Sequence, residues 1–279
     1  ELHRVNRQDV PLPRLFPENR QQAHAWLDDK PKHWRGYYEG TLWTNLESPR
    51  EFVPSAMTAE QVQEINAYTH IENELIDDAC GRVFAELEAR GLLEHTDILF
   101  TTDHGELQGD FGLLFKGPYH VDALMRLPFI WRPAAIAGVP SAEVTEPVGH
   151  VDLAKTFCAI AGIDAPGYCE GSVLPASDDE ARAQGREYLL TEWDSEHGPI
   201  DMHLKTIYHR DGWLCTAYQP SHLYDGSEGE LYNLSEDPDQ LINLWNDPGC
   251  AARRNQLVEQ LWQVLPPHRE PRLERLAPV

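Results

Sequence analysis

Three side-chain types fall close together in the middle of this chain. Asp103 and His104 follow the apolar run Ile98-Leu99-Phe100-Thr101-Thr102, and Lys116 lies thirteen positions beyond Asp103. A run of that length and composition reads as a strand buried on both faces. The polar residues then sit just past its carboxyl end, where open α/β sheets bind ligands. There an adjacent carboxylate and imidazole offer one metal ion an oxygen and a nitrogen. The competing reading of Asp-His-Gly is an ordinary turn. Lys116 comes after Leu113-Leu114-Phe115 and before Gly117-Pro118, which places its ammonium on a tight turn. The competing reading there is a surface lysine, the commonest fate of that residue.

The elements that would position these residues are legible as patterns. Thr58 to Arg90 has helical spacing, as one helix or two, with Val62, Ile65, Leu75, Ile76, Ala79, Val83, Phe84 and Leu87 on the apolar face. Thr58 and Gln61 form a capping box, and Gly91 suits the C-terminal end. The acids Glu72, Glu74, Asp77 and Asp78 read as a solvated face. Helix then strand makes one step of a doubly wound sheet, with Leu127–Trp131 as the next buried strand and Val151–Ala161 as a short amphipathic helix. Residues 1 to about 57, rich in Pro, Arg and aromatics, read as a wrapping segment with little regular structure. Beyond about residue 165 come strand-like runs at Glu187–Trp193, His203–His209, Gly212–Tyr218 and Leu231–Leu234. Asp211-Gly212 signals a hairpin, and Ala251–Leu265 reads as a closing helix.

Composition narrows the function. The formal net charge is -23, which repels nucleic acid and anionic membrane surfaces. No apolar run approaches the roughly 20 residues of a membrane span. The five cysteines, Cys80, Cys158, Cys169, Cys215 and Cys250, are odd in number and scattered. They read as thiols of a reducing compartment, with Cys158 in the core, and point to the cytoplasm.

The order and spacing of several segments resemble the sulfatase branch of the alkaline phosphatase superfamily. The matching pieces are Thr102-Asp103-His104-Gly105, Lys116-Gly117, Arg126-Leu127-Pro128-Phe129-Ile130 and Gly149-His150-Val151-Asp152-Leu153-Ala154-Lys155-Thr156. Further on, Glu230-Leu231-Tyr232-Asn233-Leu234, Asp237-Pro238 and Asn243-Leu244 match as well. The likeness runs from about Tyr37 to Leu265. It implies an α/β chain: part of a doubly wound alkaline-phosphatase-like sheet over residues 1–165, and a smaller antiparallel sheet plus helix over 166–279.

The likeness also implies chemistry. Asp103 and His104 would be metal ligands, for one divalent cation. Calcium is usual for sulfatases, and a nitrogen ligand leaves manganese or zinc open. Lys116 would contact the sulfuryl or leaving oxygen. His120 would donate to the leaving group, contact the anion, or merely support the site. His150 could simply cap its helix; His197 and His203 read as loop histidines.

Two family features have no match. No Cys/Ser-x-Pro-x-Arg segment, the source of the formylglycine nucleophile, is found: Cys80, Cys158 and Ser48 all lack the context. The acidic metal-binding pair is also missing, and the chain begins Glu1-Leu2-His3. The expectation is therefore the C-terminal half of a longer enzyme, inactive alone, whose partners are an anionic sulfate or phosphate ester and the N-terminal half. Two alternatives stay open: a phosphodiesterase or phosphonate monoester hydrolase, and a catalytically silent binding module.

Overall fold

The computed structural model describes residues 4–42, 51–197 and 200–267. Trp43 and Ser48-Pro49-Arg50 lie outside them. Helices are α1 (Arg20–Leu27), α2 (Lys32–Tyr38), α3 (Ala59–Ala89), α4 (Asp122–Met125), α5 (Leu153–Ile160), α6 (Asp178–Gln184) and α7 (Ala251–Val264). Strands are β1 (Ile98–Thr101), β2 (Leu107–Gln108), β3 (Leu114–Phe115), β4 (Phe129–Arg132), β5 (Tyr188–His197), β6 (Ile200–His209), β7 (Trp213–Tyr218) and β8 (Gly229–Asn233). The chain divides into two compact units that interleave along the sequence. One comprises Glu1–Leu12, Thr58–Gly105 and Arg126–Leu189; the other comprises Pro13–Met57, Glu106–Met125 and Leu190–Val279.

The first unit is built around α3. The expected capping box is present: the Thr58 hydroxyl accepts from the Gln61 N–H, and the Gln61 side chain accepts from the Thr58 N–H. The helix is continuous, and Gly91 follows at φ +68°. Its apolar stripe is only half used. Val62, Ala67 and Ile71 are buried, whereas Leu75, Ile76, Val83 and Phe84 are 61, 52, 58 and 41% exposed. Strand β1 pairs antiparallel with β4, Thr101 opposite Phe129. The expectation of burial on both faces fails: Phe100 and Ile130 are exposed. Helix α5 likewise buries Thr156 and exposes Phe157 and Ile160, so Cys158 is half-buried rather than core. A hydrophobic pattern records what a face is made for, and these faces lack a cover within the described residues.

In the second unit, α1 and α2 correct the reading of the N-terminal stretch as irregular. Asn19 caps α1 by accepting from the Gln22 N–H. Trp34, Tyr37 and Tyr38 of α2 join Ala23, Leu27, Leu107, Phe111, Leu113, Tyr119, Val121 and Leu124 in the main core. The aromatic residues Trp34, Tyr37 and Tyr38, which suggested an extended wrap, instead fill this interior. Lys30 is buried there too. Its ammonium donates to Tyr232 Oη at 2.9 Å and to the Gln240 carbonyl at 2.5 Å, and lies 4.9 Å from the Trp34 ring centre. Burial lowers its pKa to about 8, opposed by the Glu230 charge.

Strands β5-β6-β7-β8 form one sheet in that order. Gly212, at φ +88°, turns β6 into β7 as the Asp-Gly signal predicts. Helix α7 buries Leu257 and Leu261. Among the described residues no helix is long and apolar enough to cross a membrane. All five cysteines are unpaired.

Candidate functional site

Asp103 and His104 stand at the carboxyl end of β1, in the first unit. The His104 N–H and the Thr102 hydroxyl donate to Asp103 Oδ1 at 3.0 and 3.2 Å. The backbone donor first, and the neighbouring imidazole next, hold this carboxyl below the ordinary aspartate range. His104 Nδ1 lies 2.8 Å from the Gly105 carbonyl oxygen. A carbonyl only accepts, so Nδ1 carries the proton, and in the neutral ring Nε2 keeps its lone pair. That nitrogen lies 3.5 Å from Asp103 Oδ2.

Two lone-pair atoms so placed suit a shared cation. Ligand atoms about 2.0–2.4 Å from one ion, at angles near those of octahedral or tetrahedral sites, stand roughly 3–4 Å apart. Asp103 is open to solvent, at 82%, and His104 is half-buried, at 36%. The pair thus fits part of a divalent-cation site. Among the described residues no group of three or more His, Cys, Asp or Glu could hold a metal.

His150 is a neighbour whose placement the sequence did not show. A short 3-10 turn, His150–Asp152, brings its Nε2 within 3.4 Å of Thr101 Oγ1 at the same strand end. The turn is held by Asp152, whose carboxylate is 2% exposed and takes both Arg186 guanidinium nitrogens at 2.5 and 2.7 Å. The same carboxylate accepts from the Gly149 and Ser172 N–H groups. A buried carboxylate with its acceptor sites filled this way is tolerable; stripped of Arg186 it would be strongly destabilising.

Lys116 and His120 belong to the second unit and share one loop. β3 pairs with β2, Leu107 opposite Phe115, which anchors the loop's entry. Phe115 is left-handed, at φ +70°, an uncommon conformation for a bulky residue. Lys116 is half-buried and Gly117 to His120 are buried. His120 is 4% exposed, and its Nδ1 lies 2.7 Å from Thr206 Oγ1, itself 2.7 Å from Thr216 Oγ1. Burial first, and the nearby Lys205 charge second, lower its pKa to about 4. At neutral pH it is an uncharged hydrogen-bonding group. His203, read as a loop histidine, lies on β6, with Nδ1 2.8 Å from Asp194 and Nε2 3.3 Å from Asp201. His197 closes β5 and is likewise not in a loop.

The buried histidines predict acid sensitivity. His33, on α2, is wholly buried and its pKa is lowered to about 3 by desolvation. An unfolded histidine titrates near 6.5, so below that pH the unfolded chain binds protons that the folded chain refuses. Each such histidine then costs about 1.4 kcal/mol per pH unit until its folded pKa is reached. Urea midpoints measured at pH 7 and pH 5 should fall markedly toward pH 5. An unchanged midpoint would show that these rings are not buried and neutral.

The comparisons with known proteins place this stretch of the chain in a family. The Sulfatase family model matches residues 20–163, a span that contains Asp103, His104, Lys116 and His120. A second model, N-sulphoglucosamine sulphohydrolase, C-terminal, matches residues 109–266. This chain belongs to the sulfatase family. Among sulfatase relatives, it is 26% identical over 263 residues to "Uncharacterized sulfatase YidJ" of Escherichia coli (strain K12), covering 92% of this chain and 47% of that protein. It is 29% identical over 195 residues to an N-acetylglucosamine-6-O-sulfatase of Bacteroides thetaiotaomicron, covering 67% of this chain and 33% of that one. The chain therefore spans a third to a half of the length of these curated relatives. In fold it is similar to the phosphonate monoester hydrolase of Agrobacterium radiobacter, with TM-score 0.75 and 21% identity over 92% of this chain and 51% of the other. That likeness supports the α/β assignment, and the C-terminal sheet with its helix completes the expected class.

Proposed function

We propose that the complete sulfatase to which this chain belongs hydrolyses sulfate monoesters with the help of one divalent cation. The observation that carries the reading is the Asp103–His104 corner, where Oδ2 and Nε2 stand 3.5 Å apart at a strand's carboxyl end, with Nδ1 turned to the Gly105 carbonyl. Asp103 and His104 would hold the ion; calcium is the first choice, manganese or zinc the others. Bound there, a divalent cation supplies charge stabilisation to sulfuryl oxygens and lowers the barrier as negative charge develops. Lys116 would place its ammonium against a sulfuryl or leaving oxygen. His120 would act from its neutral form, as a donor to the leaving group or the anion.

The nucleophile and the remaining acidic ligands would come from an upstream half of the protein. The relatives' greater length supports this. So does the first unit's exposed apolar surface, with Leu75, Val83, Phe84, Phe100 and Ile130 ready for a cover. The five unpaired thiols support a reducing, cytoplasmic setting.

These 279 residues alone should not turn over ester substrates, because a lysine and a partial ligand set do not replace a nucleophile. The purified chain is assayed against aryl sulfates and phosphodiesters, alone and mixed with the upstream half. Activity appearing only in the mixture supports the reading. Metal-dependent turnover by the lone chain would overturn the two-part account, and a preference for phosphonate or phosphodiester substrates would transfer the site to phosphorus chemistry.

A further inference from the structure

The turn that carries Lys116 is gripped by one buried imidazole from a distant part of the chain. His33 is completely buried, and its Nε2 lies 3.0 Å from the Pro118 carbonyl oxygen. That oxygen only accepts, so Nε2 bears the proton and Nδ1 is the acceptor. Nδ1 lies 2.6 Å from Tyr224 Oη, which in turn lies 3.1 Å from the His33 backbone N–H. Tyr224 therefore accepts from the backbone N–H and donates to the ring, which locks the tautomer that holds Pro118. The same ring stacks on Tyr119, centroids 5.0 Å apart and planes at 20°. On the other side of Lys116, left-handed Phe115 is packed edge-on against Phe52, centroids 5.9 Å apart. Strained backbone persists where its surroundings over-determine it, and functional loops are where it collects.

We infer that His33 is a positioning residue for Lys116: by fixing Pro118 and Tyr119 it holds the lysine's turn in its working geometry, with Tyr224 setting the imidazole's polarity. The inference rests on the reading that Lys116 contacts the substrate anion. It explains why a polar ring is buried on α2 among aromatics, where a phenylalanine would pack without the cost of desolvating an imidazole.

The test is a double-mutant cycle in the full-length protein with an aryl sulfate as substrate. His33→Leu should lower kcat by roughly 10–100-fold, the scale of a small misplacement of a reacting group, with KM and metal content little changed. His33→Gln, whose amide nitrogen can still donate to Pro118, should recover most of that loss. Tyr224→Phe keeps the packing and frees the tautomer, so it should give a smaller loss of the same kind; it carries the cycle if His33→Leu fails to fold. Each loss should vanish in a Lys116→Ala background, since there is then no lysine to position. Equal losses with and without Lys116, or wild-type kcat in folded His33→Leu, would overturn the inference while leaving the Lys116 reading intact. Wild-type turnover in Lys116→Ala itself would remove both.

Discussion

In the full-length protein, Asp103→Ala should lose bound metal and fall in turnover by about three orders of magnitude or more, the scale of losing a metal that stabilises developing charge. His104→Ala should do the same. The expectation comes from the pairing: Asp103 Oδ2 and His104 Nε2 stand 3.5 Å apart, so removing either halves this corner's share of the ligand shell and leaves the upstream acids to hold the ion short of a ligand. His104 also has its tautomer set by the Gly105 carbonyl, so the ring arrives with Nε2 ready to bind. Asp103 is solvent-exposed and His104 half-buried, and neither belongs to the core, so the substitutions should change the melting temperature of the metal-free protein little. Elemental analysis and steady-state kinetics decide the matter. A double variant with wild-type metal content would return Thr102-Asp103-His104-Gly105 to a plain turn.

Lys116→Ala is expected to lower kcat/KM by roughly 10²–10⁴, the range for one charged contact made chiefly in the transition state. Metal content should be unaffected, because the lysine is no ligand. That separation distinguishes the two substitutions: one class of variant loses the ion, the other keeps it and loses rate. Lys116→Arg should restore little, since a planar guanidinium does not reproduce a compact ammonium on a fixed turn. Normal kinetics in Lys116→Ala would make it the surface lysine that its residue type alone suggests.

Much of this architecture was legible because local rules and tertiary packing agree. The Thr58–Gln61 capping box, the Asp211-Gly212 hairpin and the α7 stripe are local signals, and each element forms where its signal lies. The reading of residues 1–57 failed for the opposite reason. Trp34, Tyr37 and Tyr38 are spaced for a buried helix face, but the helix is one of seven residues, too short for periodicity to separate from an aromatic-rich coil. Strand β1 reads as doubly buried because its composition is apolar on both sides. Composition specifies what a strand can bury, not what is present to cover it.

The candidate site was legible only in its sequence-local parts. Asp103 with His104, and Lys116 near His120, are neighbours along the chain. His150 and His33 are not. The first reaches the end of β1 across 49 positions, and the second reaches Pro118 across 85. No spacing rule links them, and only the folded backbone brings them together.

The most direct measurement is hydrolysis by the full-length protein of matched aryl sulfate, aryl phosphodiester and aryl phosphonate substrates, before and after chelation and with each divalent ion restored. The expected result is a highest kcat/KM on the sulfate ester, lost on chelation and regained with a single preferred ion in wild-type protein but not in Asp103→Ala. Turnover of the sulfate ester that survives complete metal removal, or none on any sulfate ester in the metal-loaded protein, would contradict the account.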